Sequence, residues 1–168
     1  MTSRILLAAF LCFAFARTAD ATGTALPAPV DLQRDAVQAQ QEGKPVVILF
    51  SLPGCSFCRV VRQNYLAPLL RDLPVKERPI IREAEIDGTQ TFVGFTGQIV
   101  SHRSLARTLN IRFAPTVVFL DSSGHSLTEP IIGGDVAGLY GGYLDKAFSE
   151  ATKKLAASRR ATATGDKP

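Results

Sequence analysis

Cys55 and Cys58, separated by Ser56 and Phe57, are the residues of this 168-residue chain best suited to chemistry. They follow Pro45 to Ser51 (PVVILFS), a short apolar run rich in β-branched residues that reads as a strand buried on both faces. Leu52-Pro53-Gly54 breaks that strand, and a helix is expected to open at Cys55. Side chains three apart in a first helical turn share a face, so the two sulfurs can bond without moving the backbone. A helix start also presents free N–H groups and a partial positive charge, both of which favour a thiolate. Cys55 is therefore expected to be the attacking sulfur and Cys58 the resolving one. A bridge closing so small a loop adds little stability, which points to reactivity rather than scaffolding. The competing readings are a buried cysteine pair or half of a zinc site. Structural zinc needs four ligands, and only His102 and His125 remain, in separate loops. Haem attachment calls for histidine directly after the motif, where this chain has Arg59.

The flanking pattern supplies the elements that must hold the pair. Asp31 to Gly43 reads as a helix, with Asp31 as cap, Gly43 as stop, and Leu32, Ala36, Val37 and Ala39 as its apolar stripe. The helix opening at Cys55 is expected to run to about Arg71, kinked at Pro68. Pro79 to Asp87 reads as a strand, Gly88 to Val100 as a loop, and Ser101 or Ser104 as the cap of a short helix ending at Leu109. Thr116 to Asp121 is a second buried-type strand, and Ser126 to Ile132 pairs with it as a hairpin. A last helix runs from Asp135, its expected cap, to about Leu155. Strands alternating with helices give an α/β fold with a parallel core, helices on both faces and an antiparallel edge.

The start of the chain reads differently. Ile5 to Ala16 is a run of twelve apolar residues after Arg4, too short for a spanning helix and suited to a signal peptide. Cleavage is expected after Ala21, with Ala16 as the alternative, and an uncleaved anchor is the competing reading. Cys12 lies in this run, but Leu11 before it does not fit a lipobox. The organisation expected is a signal peptide over 1–21, a linker over 22–30, one domain over 31–155 and a disordered tail over 156–168. An exported compartment permits disulfides. The net charge of +4 is mild and argues against nucleic-acid binding.

PVVILFSLPGCSFCRVV, the strand ending EIDG, IRFAPTVVFLDSSG and the later IIGG together resemble a thioredoxin-fold protein, closest in kind to the exported thioredoxin-like proteins of bacteria. The resemblance spans about Asp31 to Lys154 and implies a central mixed sheet of about four strands flanked by helices. It implies that Pro115, after Ala114, is a cis proline set against the disulfide, and that Ala114 offers backbone groups to an extended substrate. The chain departs from thioredoxin itself in four places. Leu49 stands where thioredoxin has a buried aspartate, Gly54 where it has tryptophan, Ser56-Phe57 where it has Gly-Pro, and Glu83 where it has lysine. Glu83 is thus a candidate proton acceptor for Cys58, set against an ordinary glutamate that is solvated or paired with Arg82 or Arg59.

The function this implies is a thiol–disulfide oxidoreductase acting on protein disulfides or dithiols in the periplasm, with the reductase direction favoured. Cys55, Cys58, Glu83 and Pro115 would be its catalytic residues, and Phe57 and Ala114 would contact substrate. It would need no cofactor or metal, act as a monomer, and exchange electrons with a partner protein, a membrane-embedded one among the candidates. The alternative from another class is a peptide-binding or chaperone module on the same fold without redox turnover. A glutathione-dependent enzyme has weaker support from Gly133-Gly134-Asp135. Arg59 and Arg62 read as a solvated helix face, and His102 and His125 as helix-start and turn residues.

Overall fold

The computed structural model describes residues 25–163. The expected signal peptide, both cleavage sites and Cys12 lie outside them. Helix α1 (Leu32–Glu42) starts as the sequence implies, with the Asp31 carboxylate accepting from the Arg34 N–H at 2.8 Å. It ends at Gly43, whose φ of 68° is the left-handed conformation that glycine adopts without strain. Its buried face differs by one residue from the expectation. Val37 is exposed, and Asp35 is buried instead. Asp35 receives Nε and Nη2 of Arg82 at 2.7 and 2.5 Å, which accounts for a carboxylate on the inner face.

The central sheet has the order β2-β1-β5-β6. Strand β1 (Val46–Ser51) is parallel to β2 (Ile80–Glu85) and antiparallel to β5 (Thr116–Leu120). The sheet is therefore mixed, but its parallel part is a single pair rather than a core. All six residues of β1 are buried because it has a strand on each side and helices on both faces. Side-chain alternation sorts the core into two halves. Val47 and Leu49 pack with Val61, Leu66, Phe119 and Leu144, while Val46, Ile48 and Phe50 pack with Leu32, Leu105, Val118 and Leu120.

The helix after the cysteines has three parts: α2 (Ser56–Val61), a π-helical turn at Arg62–Leu66, and α3 (Ala67–Arg71). Pro68 falls in the first turn of α3, where a missing N–H costs nothing. The expected kink is thus taken up as a wider turn just ahead of the proline. In place of a loop, the region after β2 forms a hairpin of β3 (Thr91–Val93) and β4 (Ile99–Ser101), leading into α4 (His102–Thr108). Strands of three residues are too short to show a period in sequence. The expected strand over 126–132 shrinks to β6 (Ile131–Ile132) and an isolated bridge at Ser126.

Both ends of the domain extend beyond their expected limits. Within the expected linker, Leu26 is buried in the core, Pro27 accepts from the Glu83 N–H at 2.9 Å, and Val30 accepts from the Val93 N–H at 3.1 Å. The last helix, α5, spans Tyr140–Ala163, so residues 156–163 are helical rather than a disordered tail. Arg159 anchors this stretch by donating to the carbonyls of Gln40 and Gln41 at the end of α1. Asp135 does not begin α5. It accepts from the Tyr65 hydroxyl and from backbone N–H groups of Ala137, Gly138 and Tyr140, which hold it below the usual carboxylate range.

Candidate redox site

Strand β1 ends at Ser51, and Leu52 to Gly54 turn the chain so that Cys55 caps α2. Its Sγ accepts from the Cys58 N–H at 3.1 Å. The two cysteines form a disulfide with Cα atoms 5.3 Å apart. Their environments are unequal. Cys58, within α2, is fully buried, while Cys55 at its cap is half-buried at the surface. A thiol from outside can therefore reach Cys55 and not Cys58.

On the β5 side of the pair, the Ala114–Pro115 bond is cis, as the resemblance implied. Pro115 is buried, its carbonyl accepting from the Gly133 N–H at 2.8 Å. Both backbone groups of Ala114 are free of hydrogen bonds within the described residues. Phe57 is 52% exposed and lies against Gly134; a Cβ there would approach the Phe57 ring to 2.7 Å, so only glycine fits. Phe113, just ahead of the Ala114–Pro115 bond, and Ile132, paired with Thr116, are also exposed apolar side chains, at 65% and 63%. Sequence reasoning missed both. Phe113 adjoins the Ala114–Pro115 pair in sequence, which was a usable signal.

On the β2 side, a cavity of about 560 Å³ opens beside Cys55, lined also by Arg59, Arg62, Glu83, Glu85 and His102. Glu83 is in the site, and its partner is Arg62 rather than Arg82 or Arg59. Arg62 donates Nε to Oε2 at 2.6 Å and Nη2 to Oε1 at 2.5 Å. This pairing raises the Arg62 pKa further above its ordinary value, against the opposing effect of burial. Arg62 is thus not part of a solvated face. It lies four residues after Cys58, hence on the same helix face. Arg82, one residue before Glu83, faces the other side of β2 and holds Asp35.

His102 is also in this cavity and is only 3% exposed. It opens α4, as expected, but it is not merely a helix-start residue. Its Nδ1 accepts from the Glu85 N–H at 3.2 Å, and its ring lies 5.6 Å from that of Phe92. Burial pushes its pKa below the ordinary value, partly offset by the Glu85 carboxylate. Only tertiary contact brings it here, from seventeen residues beyond Glu85. Of the loop expected over 88–100, Gln90 reaches the cavity, while Phe92 is buried in the core. His125 is an exposed turn residue beside Asp121. Among the described residues no group of three or more His, Cys, Asp or Glu side chains could hold a metal ion, and no helix is long and apolar enough to cross a membrane.

Several solved structures resemble this one at low identity. A thioredoxin-fold protein from Helicobacter pylori is 20% identical, with 68% of this chain and 81% of that chain covered and a TM-score of 0.47. Mitochondrial thioredoxin 3 from Saccharomyces cerevisiae is 18% identical, with 74% and 94% covered and a TM-score of 0.48. The oxidised C-terminal domain of DsbD from Neisseria meningitidis is 17% identical, with 71% and 98% covered and a TM-score of 0.46. No curated protein matches the sequence. The sequence pattern of the thioredoxin-like domain matches residues 32–153, most of the chain, and the protein belongs to that family.

Proposed function

We propose that this protein is a thiol–disulfide oxidoreductase of the cell envelope, acting on protein disulfides and dithiols and running as a reductase. The observation that carries the reading is the inequality of the pair: a bonded Cys55–Cys58 bridge with one sulfur reachable and the other fully buried. Cys55 thiolate attacks a substrate disulfide, giving a mixed disulfide and releasing one substrate thiol. Cys58 then attacks Cys55 Sγ, releasing the second substrate thiol and closing the bridge. The free backbone groups of Ala114 beside Pro115, with Phe57 at the rim, suit an extended peptide laid along that edge.

What surrounds the Cys55 sulfur supports the reductase direction. A strong oxidant is one whose reduced form is specially stabilised. Here Cys55 Sγ accepts one backbone hydrogen bond, and the nearby Arg62 charge is neutralised by Glu83. Arg59 is exposed, so its charge is screened by solvent and salt. Glu83 also stands as the proton acceptor for Cys58, with Arg62 holding its carboxylate in place. Electrons would be restored by a partner protein, with a membrane-embedded donor suited to an exported reductase, and the enzyme would act as a monomer. The apolar run at the start of the sequence supports export.

Equilibration of the pair with a glutathione buffer tests the central claim. A potential below about −230 mV makes the protein a donor of electrons, and one above about −150 mV makes it an oxidant. Cys55→Ser should abolish turnover; function retained without that sulfur would instead identify a peptide-binding module. Glu83→Gln should shift the pH profile of disulfide reduction, and an unchanged profile removes Glu83 from proton transfer. N-terminal sequencing of exported protein should begin at Thr22.

A further inference from the structure

The peptide reading uses the β5 side of Cys55 and leaves the cavity on the β2 side without a role. That cavity has the volume of a small-molecule site, and its lining is mixed, with Arg59, Arg62, Glu83 and Glu85 facing an apolar wall that includes Leu26, Leu52 and Pro53. Within it, Arg62 and Glu83 satisfy each other, and the His102 ring is held by the Glu85 N–H, leaving Nε2 as its donor. The guanidinium of Arg59 and the carboxylate of Glu85 make no hydrogen bond or ion pair among the described residues. A cation without an ion-pair partner, and a carboxylate that makes no hydrogen bond and has the His102 ring as its charged-state neighbour, therefore share a recess with the reachable sulfur. The backbone of an extended peptide carries neither charge along its length. A small disulfide built from α-amino acids carries a carboxylate and an ammonium on each half.

We propose that this cavity binds small zwitterionic disulfides of the amino-acid type and presents one of their sulfurs to Cys55. The proposal rests on the redox reading of the cysteine pair. Arg59 pairs with the ligand carboxylate and Glu85 with its ammonium. Cys55 thiolate forms a bond to the near sulfur, and the ligand S–S bond breaks, releasing one half as a thiolate. Cys58 gives up its proton, attacks Cys55 Sγ and releases the second half. The protein dithiol is oxidised to the bridge, and one disulfide is reduced to two thiols, with no further reactant.

The test is single-turnover oxidation of the pre-reduced full chain by four probes. These are cystine, cystamine (ammonium only), 3,3′-dithiodipropionate (carboxylate only) and neutral bis(2-hydroxyethyl) disulfide. Each rate is divided by that of dithiothreitol with the same probe, which removes intrinsic reactivity. Cystine should exceed the neutral probe by about three- to tenfold, the range for charge-assisted contacts at a partly exposed site. Arg59→Gln should erase the carboxylate's share of that advantage and Glu85→Gln the ammonium's share. Equal normalised rates for all four probes, or an advantage that survives both substitutions, overturns the proposal. If insulin disulfides and the neutral probe exchange while cystine gains nothing, the cavity proposal alone fails. If none of the disulfides exchanges, the redox reading fails with it.

Discussion

The two flanks of Cys55 are built on opposite principles. On the β5 side, Phe57, Phe113 and Ile132 leave apolar surface in water, and backbone groups of Ala114 stand free. On the β2 side, the same sulfur borders a recess that contains a bidentate ion pair. Arg62–Glu83 joins β2 to the helix after the motif, and Arg82–Asp35 joins the other face of β2 to α1. An apolar rim tolerates many partners because burial is non-directional. A recess with charged groups fixed in its wall discriminates by geometry and sign. Under the two proposals above, one nucleophile would serve a broad peptide surface and a selective small-molecule site.

The largest effect should come from breaking the β2 frame. Asp35→Ala leaves the Arg82 guanidinium partly buried without its partner, costing about 2–3 kcal/mol, read from urea unfolding. A loss under about 0.5 kcal/mol would mean that solvent replaces the carboxylate. The β5 flank is probed by Phe57→Ser combined with Phe113→Ser. Removing two exposed anchors should lower kcat/KM for a protein disulfide about tenfold, and should lower it far less for a neutral small disulfide. Equal losses for both substrates would dissolve the distinction between the flanks.

A smaller effect is expected from His102. Its folded pKa lies below the ordinary 6.5, so the unfolded chain binds the proton first as pH falls. Its contribution is complete above about pH 6.5 and declines as pH drops through that value towards the folded pKa. His102→Asn keeps an acceptor for the Glu85 N–H and should flatten the urea midpoint between about pH 7 and pH 5. An unchanged slope would assign the pH dependence to other groups. The smallest effect should follow Tyr140→Phe. The Tyr140 hydroxyl is buried without a partner among the described residues, and burial raises its pKa. Its removal should leave stability unchanged or raise it by up to about 1 kcal/mol. A clear loss would reveal a partner, such as an internal water, in the packing with Tyr65.

The motif region was legible because its signals are local. A continuous β-branched run, a Pro-Gly break and two cysteines at helical spacing read the same way in any context. The caps of α1 were equally plain. What escaped depends on distant partners. Leu26 and Pro27 read as linker because their composition is that of a linker, yet β2 offered an N–H and the core a place for a side chain. Residues 156–163 read as tail, yet Arg159 found the open carbonyls at the end of α1. The parallel pairing expected for β5 failed because alternation of elements does not fix strand direction.

By itself, then, the sequence determined the cysteine pair that forms the bridge, the strand and helix that present it, and through the resemblance the mixed sheet and the cis bond at Pro115. These rest on neighbours in the chain and on patterns that repeat within a few residues. Only the tertiary structure decided that Glu83 pairs with Arg62, that His102 lines the same cavity as Cys55, and that the two flanks of the sulfur differ. Those facts join residues that distant elements bring together, and no local propensity encodes which charges will meet.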